Sequence, residues 1–219
     1  MKNLEEIKEN LNSKKEPVNI KEVNILFLDA SASCTGYAIA SVNFEDKTAD
    51  FSSAGAIWFD KDWSHQEKFH YLGTAINNYF WVVEQIDYIV IEQYSLNPNK
   101  RMGIHVVPEL CGAIKAYAQE NAVKVDSMLP QSWRSELGIK RGADGKYKQP
   151  TKEKVLTVAN VPEESISNIT SNSRQTPSDV YDAIAIGWGW LTRLGFSKVK
   201  FKDMKFNKHA SVLTTLQEI

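Results

Sequence analysis

The chain lacks long apolar runs, has few cysteines and carries almost no net charge, and each shortage narrows what it can be. No stretch of its 219 residues stays apolar long enough to cross a bilayer as a helix. The opening MKNLEEIKENLNSKKEPVN is charged throughout and has no apolar core of the secretory kind. Only two cysteines occur, Cys34 and Cys111, far apart and outside any CxxC or Cys/His cluster. That pattern argues against structural zinc and for a reducing compartment, so a cytoplasmic protein is expected. A formal charge of −1 removes the global basic excess usual in duplex binders. What is present, 42% apolar and 24% charged residues, is enough for one ordinary core. The expected organisation is a charged N-terminal arm over 1–22, one α/β domain over 23–195 and a basic C-terminal extension over 196–219, with no internal repeat.

Local charge differs from the global balance. Six basic residues between Lys140 and Lys154 face only Asp144 and Glu153, and six more between Arg193 and Lys208 face only Asp203. One such cluster is commonly just a solvated face. Two of them in a neutral chain mean that acid is concentrated elsewhere and that the surface is polarised.

Short apolar runs at 23–28, 37–43 and 51–59 read as strands, the last two joined by the turn-forming FEDKTAD. Phe69, Leu72, Ile76, Tyr79, Phe80 and Val83 recur at helical spacing. DYIVIE (87–92) is another strand, followed by the polar QYSLNPNKRMG and a helix carrying Val107, Leu110, Ile114 and Tyr117. A strand is expected at 123–128, a loop over 138–150, a short helix from Thr151, an irregular segment over 161–176 and a last helix from TPSDVYDAIAIGWGWL. Three hairpin-linked strands followed by strands alternating with helices make a mixed sheet with helices on its faces.

Two of these strands end in acids, Asp29 and Glu92, and open α/β sheets bind ligands at the carboxyl ends of their strands. Asp179 and Asp182, three apart, share a face of the last helix. Each acid also has a plainer reading. Asp29 before ASAS could cap a turn, and Asp179 could be N3 of a capping box with Thr176 at the N-cap and Pro177 at N1. Asp182 before AIAI and Glu92 after YIVI are harder to explain that way. If the four converge, their repulsion favours a cation, and oxygen ligands without Cys or His favour Mg²⁺ or Mn²⁺. Two such ions about 4 Å apart can activate water and stabilise the leaving oxygen of a phosphodiester.

ILFLDASASCTGYAIA, IDYIVIEQY and SDVYDAIAIGWG together resemble, in order, the three acidic motifs of RuvC-type Holliday-junction resolvases in the RNase H-like superfamily. The resemblance spans about residues 23 to 195. It implies an RNase H-like mixed sheet, three antiparallel strands and then parallel ones, with helices on both faces. It also implies a homodimeric, Mg²⁺-dependent endonuclease of recombination and repair, with Mn²⁺ able to substitute, two ions per site, and no small-molecule cofactor or membrane. Its partner is branched DNA, nicked to leave 5′-phosphate and 3′-hydroxyl ends. By position Asp29, Glu92, Asp179 and Asp182 become metal ligands, and Lys152 matches a lysine near the scissile phosphate, where a helix start would add N–H donors. DNA contacts are expected from Tyr94, Lys100, Arg101, Arg134, Lys140, Arg141, Lys146, Lys148 and Lys154.

The sequence departs from the family pattern in four places, two of which are a loop over 94–106 that is long for the family and a basic tail after Gly195 without a counterpart in it. Ala30-Ser31 stands where Pro-Gly is usual, and Tyr94 is the aromatic after Glu-Gln, with Ser95 where the ring is expected. Three rival readings share part of this pattern. An actin-like kinase needs a second phosphate loop that the chain lacks, and a binding-only module has no need to keep all the acids. An RNase H-like nuclease acting on flaps or RNA–DNA hybrids shares the same motifs.

Overall fold

Val23–Ala30 (β1) is apolar without a break from Ile25 to Leu28, so neither of its faces can meet water. In the computed structural model, which describes residues 22–81, 84–94, 106–163, 166–168 and 176–201, β1 accordingly lies inside a seven-stranded mixed sheet. It pairs antiparallel with β2 (Cys34–Asn43) and parallel with β4 (Tyr88–Glu92). β2 pairs antiparallel with β3 (Thr48–Trp58), and β4 pairs parallel with β5 (Lys124–Met128). Two short strands, β6 (Ile166–Asn168) and β7 (Lys198–Lys200), run parallel to β3. The order is β5-β4-β1-β2-β3-β6, with β7 also on β3, the three-antiparallel-then-parallel sheet expected.

Strand parity divides the core into two. Ile25 and Phe27 of β1 and Tyr88 and Val90 of β4 point to one face. That face is covered by α5 (Ser178–Arg193), against which α3 (Pro130–Glu136) and α4 (Lys148–Glu153) pack in turn. Leu26, Leu28, Ile89 and Ile91 point to the other, under α1 (His65–Thr74) and α2 (Val106–Glu120). α1 starts with a reciprocal capping box between Ser64 and Glu67 and runs on as π-helical turns over Ala75–Trp81. α5 comes very close to the sheet at Gly187 and to α3 at Gly189. A Cβ at Gly187 would come within 2.7 Å of the Phe27 ring, and one at Gly189 within 2.7 Å of the Trp133 Cβ.

Several expectations need correction. α3 and the strand β6 were not foreseen, the latter because its partner along β3 is supplied only by tertiary pairing. The helix expected from Thr151 begins at Lys148 and continues with π-helical turns over Lys154–Val158. Lys152 therefore lies in the last turn of α4, away from the helix-start N–H groups it was expected to reinforce. α5 begins one residue later than a Thr176 cap would require. Pro177 is its N-cap, extended at φ −69°, ψ 154°, with no side-chain cap, so the capping-box reading of Asp179 fails. Beyond Gly195, Phe196 and Phe201 are buried and Lys198–Lys200 is sheet, so residues 196–201 pack with the domain. Val83, most of the N-terminal arm and residues 202–219 lie outside the described residues.

Candidate active site

Register brings the first two acids together. Leu28 pairs with Ile91 across the parallel β1–β4 ladder, so Asp29 and Glu92 are the next residues on adjacent strands. Their parity is that of Phe27 and Val90, which points both toward α5. The α5 backbone reaches this point only because residue 36 is glycine. Gly36 is the cross-strand partner of Asp29, and a Cβ there would collide with the Asp179 carbonyl. The Thr-Gly of the first motif is thus the seat of the third.

The β1–β2 turn is closed by Ser31, not by Asp29. The Ser31 N–H and hydroxyl both donate to the Cys34 carbonyl, at 2.9 and 2.8 Å. None of residues 30–33 has positive φ, which explains how Ala30-Ser31 serves where a glycine is usual. Asp29 is therefore free of the capping role.

Electrostatics confirm that the acids feel one another. Burial holds the Asp29 carboxyl well above its ordinary range, and the charges of Glu92, Asp182 and Asp179 push it further. Burial and then Glu92 raise Asp182 to about 7. Glu92 is also raised by burial, against the hydrogen bond from Trp133 and the charge of Arg134. The Trp133 indole N–H donates to Glu92 Oε1 at 2.9 Å, and Arg134 Nη2 stands 3.9 Å from the same oxygen. The guanidinium lies 4.3 Å from the Trp133 ring centre and 4.5 Å from that of Tyr147. Asp179 Oδ2 accepts from the Cys34 thiol at 3.5 Å, and burial pushes that thiol up to about 12, so it stays a donor. These roles of Cys34 and Trp133, and the placing of Arg134 among the acids, have no sequence signal beyond nearness to the motifs.

Among the described residues no three His, Cys, Asp or Glu side chains form a ready-made metal shell. The donor set nevertheless fits a hard divalent cation. All four donors are carboxylates, and Asp182 Oδ1 is buried with no hydrogen-bond partner among the described residues. An unpaired buried carboxylate oxygen is costly unless something else satisfies it.

The expected DNA-facing residues divide. Lys140, Arg141 and Lys154 line one open cleft of about 570 Å³ together with Glu153 and the exposed Val158. Arg141 and Lys154 stand over the rings of Tyr147 and Trp188. Lys146 and Lys148 are exposed nearby. Lys152 pairs with Glu163 at 3.1 Å, and the Tyr181 hydroxyl donates to the same carboxylate oxygen at 2.9 Å. Arg134, expected on the DNA surface, is only one-fifth exposed and is the cation that faces the acids. Tyr94 is half-buried beside Glu92. Lys100 and Arg101 lie outside the described residues.

No family model and no curated protein matches the sequence. Solved structures do. Thermus thermophilus RuvC aligns over 80% of this chain and 99% of its own at 15% identity, with a TM-score of 0.57. The yeast mitochondrial Holliday junction resolvase aligns over 97% and 90% at 16% identity, with a TM-score of 0.51. The fowlpox virus Holliday junction resolvase aligns over 78% and 100% at 11% identity, with a TM-score of 0.52. At these identities the likeness is one of fold, and that fold is the RNase H-like one of RuvC-type resolvases.

Proposed function

We propose that the protein is a Mg²⁺-dependent, structure-selective DNA endonuclease that resolves four-way junctions as a homodimer in a reducing cytoplasm. The observation that carries this reading is the gathering of Asp29, Glu92, Asp179 and Asp182 at one sheet end, where, among the described residues, an Asp182 oxygen has no partner and Arg134 is the facing cation. The four carboxylates would hold the metal, whose chemistry when bound is to neutralise phosphodiester charge and acidify a water. Trp133 fixes Glu92 by its indole N–H, so one carboxylate is oriented before any ion arrives. Arg134, flattened between two rings, has its Nε buried without a partner among the described residues and can turn its donors to a phosphate. Lys140, Arg141 and Lys154 supply a basic cleft for backbone phosphates away from the acids. Two copies of one site account for paired nicks on opposite strands, leaving 5′-phosphate and 3′-hydroxyl ends.

The test incubates the full chain and Mg²⁺ with a four-way junction, a flap, a linear duplex and an RNA–DNA hybrid. Symmetric nicks on the junction are expected. Cleavage of the hybrid alone refutes resolution, and no cleavage with Mg²⁺ or Mn²⁺ refutes the nuclease.

A further inference from the structure

The cleft lined by Lys140, Arg141 and Lys154 has an apolar side that phosphates leave unused. Thr151 and Val155 stand one turn apart on the buried side of α4 and its extension, at 1% and 0% exposure. α-Helical winding would carry that face on to Val158. Instead the chain winds as a π-helix over Lys154–Val158, and the Ala159 N–H reaches back five residues to donate to the Lys154 carbonyl at 3.1 Å. The wider turn returns Ala159 to the edge of the core and swings Val158 outward. Val158 is 59% exposed, and among the described residues it is the exposed large apolar side chain. Isolated π turns are rare in helices and concentrate at functional sites. Here the turn delivers an apolar group to the mouth of a basic cleft.

The rest of the cleft says what that group meets. Ile139 and Pro150 add apolar wall, and the three cations outnumber the acid Glu153. Arg141 and Lys154 lie over the Tyr147 and Trp188 rings, at 5.3 and 5.7 Å, so their side chains lose little further freedom when an anion arrives. A volume of about 570 Å³ has room for a bulky side chain and its neighbours in a chain. Backbone phosphates satisfy the cations but offer nothing apolar to Val158. A peptide with carboxylates on either side of a bulky apolar residue satisfies both.

We propose that this cleft docks an acidic peptide segment of a partner protein, its apolar side chain against Val158, Ile139 and Pro150 and its carboxylates at Lys140, Arg141 and Lys154. Docking requires neither DNA nor metal, so the proposal stands apart from the nuclease reading above. The cations are those assigned there to backbone phosphates, so peptide and duplex exclude one another at the cleft.

The test is fluorescence anisotropy of the full chain without metal. The probes are a labelled peptide in which aspartates flank a single phenylalanine, and its counterpart with serine in place of the phenylalanine. The phenylalanine peptide should bind about tenfold tighter than the serine one, and linear duplex should displace it. Val158→Ser, a change at an exposed position, should erase that difference without altering duplex binding. Lys154→Gln should weaken both peptides severalfold and make their binding less sensitive to salt. Equal affinity for the two peptides, binding of neither, or a Val158→Ser variant that still tells them apart overturns the proposal and leaves the cleft to DNA phosphates. If Val158→Ser instead changes the sedimentation of the free chain, the apolar side faces a second copy and the peptide proposal falls. None of these outcomes bears on cleavage, which the junction assay tests separately.

Discussion

The glycines under α5 and the glycine at position 112 of α2 are set in opposite ways. Under α5, Gly36, Gly187 and Gly189 stand where any Cβ would strike the Asp179 backbone, the Phe27 ring or Trp133. In α2, no atom of the described residues lies within 4 Å of where a Gly112 Cβ would stand, and Gly112 borders a cavity. The first arrangement presses a helix onto the strands until its carboxylates reach those at the strand ends. The second leaves a hollow beside the same site. A glycine excluded by its own chain records internal geometry.

The largest predicted effect lies on the tight face. Asp182→Asn should cut Mg²⁺-dependent cleavage by about a hundredfold or more while junction binding persists. The same change alters stability in a direction set by linkage. Asp182 stands at about 7 in the fold against an ordinary 3.8, so the folded state holds this proton more tightly than the unfolded one. Metal-free protein should therefore lose stability as pH rises from about 4 to 7, by a few kcal/mol at most. Its Tm should be higher at pH 5 than at pH 8, Mg²⁺ should recover the difference at pH 8, and Asp182→Asn should flatten the profile. A wild-type Tm indifferent to both pH and Mg²⁺ would disprove the strained-acid account.

Next in size is the direct contrast between glycines. Gly36→Ala forces the α5 start off β2 and should cost about 2 kcal/mol in urea unfolding, with cleavage falling as Asp179 and Asp182 move. Gly112→Ala should instead stabilise, by about 0.5–1 kcal/mol, since it gains helix propensity and meets nothing among the described residues. A Gly36→Ala variant as stable as the wild type, or a destabilised Gly112→Ala, would break the comparison at its base.

Much of this was legible in the sequence, for a physical reason. Unbroken apolar strands ending in Asp29 and Glu92 have few placements besides adjacent buried strands, and helical spacing put Asp179 and Asp182 on one face before any coordinates. Contacts that depend on register or on packing between distant segments were not legible. The Gly36–Asp179 contact, the Trp133–Glu92 hydrogen bond and the β3–β6 pairing join residues 41 to 143 positions apart, and no local pattern encodes them. Lys152 shows the same limit from the other side. Its motif position was clear, but its pairing with Glu163 depends on how the segment after α4 returns.

Arg134 sharpens the comparison by removing charge and not space. Among the described residues it is the cation that eases Asp29, Glu92 and Asp182 together. Arg134→Met should raise all three carboxyls, move the rising limb of the cleavage–pH profile to higher pH, and reduce the rate about a hundredfold. Arg134→Lys keeps the charge but loses the flat packing between Trp133 and Tyr147, so about a tenfold loss with little pH shift is expected. A Met variant with an unmoved profile would place Arg134 outside the acids' field.

The smallest effect concerns Lys152. Its pair with Glu163 is exposed on both sides, at 38% and 55%, so Coulomb attraction there is screened by water and offset by side-chain entropy. Glu163→Gln should change stability by less than about 1 kcal/mol. Its effect on DNA should be larger, because it frees a lysine now neutralised beside Tyr181. Junction affinity should rise severalfold and its salt slope steepen by about one if Lys152 meets a phosphate. Losing an acid near DNA could alone raise affinity, so the decisive comparison is with Lys152→Gln already present. If Glu163→Gln raises affinity equally in that background, the gain is general electrostatics, and Lys152 has no place at the scissile phosphate.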